Sequence, residues 1–174
     1  MKVRINPSIF REYDIRGVVG HDITPEVAEA IARGYAVYLR RSSSPSPLLG
    51  GEGAPAPRPS GARGAGGEGG RLPAPVSRIP VVVGRDNRES SLWIRDSVVR
   101  GLAASGCDVV DIGTVITPVF YFARVHDGID GGVMITASHN PPEFNGFKLA
   151  HGFGTIYGDE IQAVRRLAEA GENV

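Results

Sequence analysis

Four side chains that could take part in nucleophilic chemistry follow an apolar run in the sequence. The run Gly132–Thr136 leads into Ala137 and then into Ser138, His139 and Asn140, and Lys148 follows eight residues later. Two prolines directly after the asparagine restrict the loop backbone. A rigidly placed hydroxyl, imidazole and ammonium group suits phosphoryl or acyl transfer, and the residues alone do not choose between them. The lack of a Gly-x-Ser-x-Gly elbow weakens the hydrolase alternative.

The elements that must position this loop can be predicted from apolar spacing, capping residues and turn residues. Helices are predicted from the Thr24 cap and Pro25 to Arg41, from a Ser90 or Ser91 cap to Gly106, from a Thr117 cap to His126, and from Asp159 to Ala170. Strands are predicted over Ile79–Gly84, Cys107–Gly113, Gly131–Ala137 and Phe147–Ala150, with a turn at Asn145-Gly146.

This alternation of strands and helices predicts the α/β class. We expect a single three-layer domain in which helices flank a mixed, largely parallel sheet. Ligands of such sheets gather at the carboxyl ends of the strands, which here are Gly84-Arg85-Asp86, Gly113-Thr114 and the loop after Ala137. The serine loop is therefore the predicted site. Arg85, Asp86 and Arg88 are expected to hold a strand-end loop through ion pairs.

Composition separates one segment from the rest of the chain. The stretch from Ser42 to Arg78 holds 7 of the 13 prolines and 9 of the 24 glycines, with no aromatic residue. Such a segment cannot bury enough apolar surface to offset its ordering entropy, so residues 42–78 are predicted to be a disordered, low-complexity insertion. A Gly-x-Gly-x-x-Gly match at Gly64–Gly69 lies inside it and lacks the flanking strand and helix of a dinucleotide site.

Charge, cysteine content and hydropathy exclude several functional classes. The 19 basic residues balance the 19 acidic ones, which argues against nucleic acid as a partner. Cys107 is the one cysteine, so no internal disulfide is possible. No apolar run approaches the length of a membrane span or a signal peptide. We therefore expect a cytoplasmic protein with no membrane partner.

Three motifs together resemble the α-D-phosphohexomutases, and within them the phosphomannomutase/phosphoglucomutase branch. Thr136–Pro141 followed by Phe144–Lys148 is similar to the active-site loop of that family. Phe10–Gly17 resembles its opening motif, and Val83–Arg88 resembles a third segment. The motifs occur in the family's order, so residues 1–174 are interpreted as domain I, the phosphoserine domain, interrupted by 42–78.

The resemblance implies a reaction and a role for each matched residue. Hexose 1-phosphate and hexose 6-phosphate of glucose or mannose would be interconverted through a bisphosphate sugar, with glucose or mannose 1,6-bisphosphate as activator. Mg²⁺ would be bound by the phosphate on Ser138 and by three aspartates. The implied catalytic residues are Ser138, His139, Lys148 and Arg16, and the implied substrate-binding residues are Tyr13, Arg16, Lys148 and Asn140.

Each of these residues also has a structural alternative. His139 could bond only the loop backbone, and Lys148 could be a solvated residue of an edge strand. Arg16 could pair with Asp14 or Asp86 as scaffolding, and Tyr13 could serve mainly in packing.

The family's other motifs are absent from this sequence, including the aspartate metal loop of domain II. We therefore expect the chain to be inactive alone and to need domains II–IV in the same or a companion polypeptide. A gene fragment or a split gene is the simplest origin. The alternative function is a non-catalytic relic or binding module that keeps the fold, with a serine hydrolase a more distant possibility.

Overall fold

The computed structural model describes residues 3–42 and 78–171. Most of the segment 42–78 that composition predicts to be disordered lies outside these residues. A 3-10 turn over Pro7–Ile9 precedes the first strand. In chain order the elements are then β1 (Ile15–Val18), α1 (Pro25–Arg41), β2 (Ile79–Arg85), α2 (Glu89–Ala104), β3 (Cys107–Thr114), α3 (Thr117–His126), β4 (Gly131–Ile135), β5 (Phe144–His151), β6 (Gly154–Thr155) and α4 (Asp159–Ala170).

The strands form one mixed sheet in the order β1-β5-β4-β2-β3, with β6 paired to β5. The pairs β2–β3 and β2–β4 are parallel, whereas β4–β5, β1–β5 and β5–β6 are antiparallel. The predicted α/β class and mixed sheet are confirmed. The antiparallel part is larger than the sequence indicated, because the loop after β4 turns the chain straight back into β5 without a crossover helix.

Helices cover both faces of the sheet, as the three-layer prediction requires. Helices α1, α2 and α4 pack on one face, where the main hydrophobic cluster contains Ile31, Ile94, Val133 and Phe147. On the other face α3 packs over a smaller cluster that includes Val82, Phe120 and Met134. None of the helices in the described part of the chain is long and apolar enough to cross a membrane.

Helix bounds were predicted more successfully than helix caps. The helices Pro25–Arg41 and Asp159–Ala170 agree with prediction, and Thr24 caps α1 by accepting a bond from the Val27 amide. The caps predicted for the two middle helices are wrong. Ser91 lies buried inside α2 and bonds Asp86. Thr117 is the first residue of α3, and Ile116 stands at the cap position.

The turn predicted at Asn145-Gly146 is also wrong, because both residues belong to β5. Asn145 is fully buried, and its Nδ2 donates to the hydroxyl oxygens of Ser90 and Ser91 at 2.7 and 2.9 Å. A Cβ on Gly146 would lie 1.9 Å from the carbonyl oxygen of Ile15. Glycine is therefore needed here for the close approach of β1 to β5 and not for a turn.

Two buried tyrosines attach α1 to neighbouring elements of the fold. The Tyr35 hydroxyl accepts a bond from the Gly132 amide at 2.7 Å and donates to the Ala150 carbonyl at 2.5 Å. Tyr38 donates to Glu160 of α4 at 2.5 Å. The Tyr35 bonds fix α1 against the start of β4 and the end of β5, the two strands that flank the loop, whereas the Tyr38 bond fixes α1 to α4.

Alkaline pH is expected to destabilise this packing. Burial is the main cause that raises the pKa of Tyr38 to about 12, and burial also raises the pKa of Tyr35. Both folded pKa values exceed the value of about 10 in an unfolded chain. The two tyrosines therefore contribute fully to the free energy of unfolding below about pH 10, and this contribution is lost as the pH rises through 12. We expect Tm to fall between pH 9 and 12 and the fall to be shallower in Tyr38→Phe. The exposed Tyr13→Phe is the control, and equal slopes for all three proteins would contradict the prediction.

Candidate active site

The loop between β4 and β5 carries Ser138 in an unusual backbone conformation. Its φ is 55°, and among the described residues it is the one non-glycine residue with positive φ. L-residues rarely adopt this left-handed region unless the surroundings impose it. The Ser138 amide donates to Thr136 Oγ1 at 2.9 Å, and the residue itself is exposed to solvent. The backbone is thus held in a strained turn that presents the hydroxyl at the carboxyl end of β4.

Arg88, just before α2, imposes much of this loop conformation. Its guanidinium nitrogens donate to four loop carbonyl oxygens, at 2.6 to 3.1 Å, in Ser138, Asn140, Pro141 and Phe144. Nε donates to Asp86 Oδ2 at 3.1 Å. All five N–H groups of the arginine therefore have an acceptor, which is the full capacity of the side chain. The sequence predicted that Arg88 and Asp86 hold a strand-end loop, but not that this loop is the serine loop.

Asp86 connects this arginine to the sheet and to α2. Its amide donates to the Ile135 carbonyl oxygen at 2.9 Å, and its Oδ1 accepts bonds from the Arg88 amide and the Ser91 hydroxyl. Ser91 in turn bonds the buried Asn145. Both ends of the serine loop are thus joined through α2. The sequence predicts a cap at Ser91 and a turn at Asn145 but no part for either in positioning the loop, because the bond between them joins residues 54 positions apart.

Arg16 and Lys148 are brought together by one buried carboxylate. Arg16 donates to Asp14 through Nε at 2.8 Å and Nη2 at 2.6 Å, and Lys148 Nζ lies 3.6 Å from the same Oδ2. Arg16 Nη1 also donates to Asn140 Oδ1 at 2.6 Å. Of the two sequence alternatives for Arg16, pairing with Asp14 is the one observed. Two cations on one carboxylate leave a surplus positive charge beside the serine loop, which favours an anion.

The two remaining predicted residues, His139 and Tyr13, are both exposed to solvent. His139 is exposed next to Ser138, and its Nδ1 lies 3.4 Å from Ser138 Oγ, a long separation for a hydrogen bond. Tyr13 is 65% exposed, and its ring lies 6.4 Å from that of Tyr157, also exposed. The Tyr13 ring is therefore not part of the core, contrary to the packing alternative.

A cleft of about 820 Å³ opens at the carboxyl ends of β2, β3 and β4, in agreement with the predicted position of the site. Ser138, Asn140 and Thr136 line it on the side of the serine loop, and Asp86 and Arg88 line its base. The opposite wall runs from Thr114 to Pro118, at the start of α3. The cleft thus lies between the serine loop and the β3–α3 connection.

Within 3–42 and 78–171, no group of three or more His, Cys, Asp or Glu side chains is placed to hold a metal. Asp14, the buried carboxylate near the loop, is occupied by Arg16 and Lys148. The described residues alone therefore do not fit a complete magnesium site.

The sequence model of the family described as phosphoglucomutase/phosphomannomutase, alpha/beta/alpha domain I, matches residues 70–174. The chain belongs to this family. The resemblance inferred from three motifs is confirmed, and the matched part includes the cleft, the serine loop and Arg88.

Individual phosphohexomutases are similar over nearly the whole chain. The phosphoglucomutase/phosphomannomutase of Thermococcus kodakarensis is 34% identical over 90% of the chain, and the phosphomannomutase/phosphoglucomutase of Pseudomonas aeruginosa is 37% identical over 93%. A crystal structure of a family protein from Burkholderia thailandensis superposes with a TM-score of 0.72 at 33% identity, covering 98% of the chain. The chain spans only 27%, 28% and 32% of these three proteins.

Proposed function

We propose that this chain is the phosphoryl-carrying part of a phosphohexomutase and that Ser138 is the carrier. A phosphoryl group on Ser138 would pass to glucose or mannose phosphate, giving a bisphosphate sugar that returns its other phosphoryl group to the serine. Hexose 1-phosphate and hexose 6-phosphate are interconverted in this cycle. This substrate class is supported by the relatives, which are phosphoglucomutases and phosphomannomutases.

The observation that carries the proposal is the strained, exposed position of Ser138 beside surplus positive charge. A left-handed φ of 55° at a serine is strained unless other contacts hold the backbone, and the Arg88 guanidinium provides them by donating to the carbonyl oxygens of Ser138 and Asn140. Arg16 is tied to the loop through Asn140 and shares Asp14 with Lys148. A phosphate on Ser138 would have these cations nearby to offset its charge. Phosphoryl transfer depends on such positioning and charge stabilisation.

Bonds and protons balance in each transfer. A sugar hydroxyl oxygen bonds to phosphorus while the bond between phosphorus and Ser138 Oγ breaks. The sugar hydroxyl releases its proton to solvent and Oγ takes one up as it leaves, and the return of the other phosphoryl group to Oγ reverses both changes. His139 would deliver the proton to Oγ, and the 3.4 Å between its Nδ1 and that oxygen supports this role. Arg16, Lys148 and Asn140 would orient the transferred group, and the exposed Tyr13 would contact the sugar.

Magnesium would neutralise phosphoryl oxygens in a family-length protein. The phosphate on Ser138 would supply one ligand, and the others would come from outside the described residues. The steps assigned to Ser138 and His139 do not pass through the ion. Because the chain spans only about 28% of its relatives, turnover is proposed for its complex with the remaining domains and not for the chain alone.

Phosphate on Ser138 is the direct test. The 174-residue chain, fused in place of the matching part of the Pseudomonas aeruginosa relative, would be incubated with Mg²⁺ and glucose 1,6-bisphosphate, and intact-mass spectrometry would be followed by peptide mapping. We expect one added phosphoryl group at Ser138, none in Ser138→Ala, and normal labelling in Ser8→Ala, which alters an exposed serine of the 3-10 turn. An unlabelled wild-type chain, or labelling that survives Ser138→Ala, would overturn the carrier role and favour a non-catalytic module. The chain alone is expected not to interconvert glucose 1-phosphate and glucose 6-phosphate.

A further inference from the structure

The distribution of polar and apolar residues on α3 is inverted. Its solvent side carries Val119, Phe122 and Val125, which are 43%, 67% and 53% exposed, and Ile116 before the helix is 68% exposed. The arginine of the helix, Arg124, is fully buried. A surface helix normally has the opposite arrangement, with charges facing water and apolar residues facing the core.

The buried Arg124 contacts backbone oxygens and an aromatic ring. Its Nη2 donates to the carbonyl oxygens of Asp130 and Gly152, and its guanidinium lies 5.8 Å from the centre of the Phe120 ring. The arginine thereby joins α3 to the start of β4 and the end of β5. The inward face of α3 thus holds an arginine bonded through Nη2, although its Nε and Nη1 have no partner among the described residues, and the apolar outward face remains to be explained.

The exposed residues of α3 continue onto the sheet. Val110 of β3 is 37% exposed and lies opposite Val82, which belongs to the cluster under α3. This face of the sheet therefore carries exposed apolar surface both on its helix and beside it. By contrast, the three helices of the other face expose one large apolar side chain in the described residues, Leu92. An apolar patch of this kind indicates an interaction surface.

We infer that the outer face of α3, formed by Ile116, Val119, Phe122 and Val125, docks the part of a family-length phosphohexomutase that this chain does not match. Two observations select this occupant. The chain spans about 28% of the relatives, so a family-length protein contains more than twice its length in addition, which this surface could meet. Ile116 also lines the cleft beside Ser138, so a body that closes this cleft would extend over α3. The inference rests on family membership and not on phosphoryl transfer.

Affinity for that body can be measured without any reaction. The full 174-residue chain would be titrated by calorimetry with a polypeptide comprising the part of the Pseudomonas aeruginosa relative that the chain does not match. Removing one buried phenylalanine from an interface costs about 1.5–3 kcal/mol. We therefore expect Phe122→Ser to weaken binding by about 10- to 100-fold. Phe122 is largely exposed in the chain, so the Tm of the free variant should be unchanged.

Leu92→Ser is the matched control, since it removes an exposed apolar side chain from the opposite face; we expect less than a twofold effect. Ser138→Ala should bind as the wild-type chain does, which separates docking from the proposed chemistry. Three results would overturn the inference: no binding by the wild-type chain, equal weakening in Phe122→Ser and Leu92→Ser, or a dimer of the chain that Phe122→Ser dissolves in sedimentation.

Discussion

Replacing Gly146 with alanine is expected to lower the free energy of unfolding by about 3 kcal/mol or more, the upper range for overpacking a closely packed site. The new Cβ would lie 1.9 Å from the Ile15 carbonyl oxygen and 3.0 Å from the Arg16 Cα. These are backbone atoms of β1, held in register with β5, so no side-chain rotation can relieve the overlap. β1 would have to separate from β5, and Arg16 would move away from Asn140.

Urea denaturation of both proteins would test this expectation. Gly154→Ala on β6 is the matched control, because a Cβ there has no atom within 4 Å. Its effect should stay within about 0.5 kcal/mol. Similar losses of stability in the two variants would show that the contact between β1 and β5 is not the constraint described here.

Replacing Arg88 with lysine is expected to loosen the serine loop far more than a change of one cation for another suggests. An ammonium group has three donors at one point and cannot reach the four carbonyl oxygens and Asp86 Oδ2 that the planar fork contacts. Each lost bond is worth about 0.5–1.5 kcal/mol, and we expect a total loss of about 2 kcal/mol. The left-handed Ser138 would then relax toward an ordinary conformation.

Amide hydrogen exchange can separate this local effect from global destabilisation. The Asn140 and Phe144 amides donate within the loop, to the carbonyls of Ala137 and Pro141. Their exchange should accelerate by about tenfold or more, corresponding to at least about 1.4 kcal/mol of local opening. Arg95→Lys on α2 is the control, because Arg95 pairs with Asp96 and Asp111 and not with the loop. Unchanged amide exchange rates at Asn140 and Phe144 in Arg88→Lys would contradict the inference that Arg88 holds the serine loop in place.

The sequence was informative at several places where the determining interaction is local. Thr24 and Pro25 define the start of α1 because a cap bond spans only three residues. The buried strands were predictable from runs such as Val81–Val83. The serine loop could be located from its own residues, since a strand end followed by prolines and polar side chains is a local pattern.

Features set by distant partners were not predictable in the same way. β1 has four residues and no strand-like apolar run, and it exists because β5 supplies its hydrogen bonds. Asn145-Gly146 is a turn by local preference, but a buried asparagine bonded to Ser90 and Ser91 overrides that preference. The association of Arg88 with the serine loop joins residues 50 or more positions apart, and no spacing rule encodes such a contact.

The pairing of β1 with β5 also determines the order in which the domain can form during synthesis. Ile15 lies opposite Phe147, and α1 is bonded through Tyr35 to Gly132 and Ala150. A nascent chain that has emerged only as far as Arg41 contains a complete amphipathic helix with no sheet to receive it. Such long-range pairing forms slowly. The N-terminal segment is made first, but its partner strand β5 begins only at Phe144, so Arg16 joins the site only after β5 has left the ribosome.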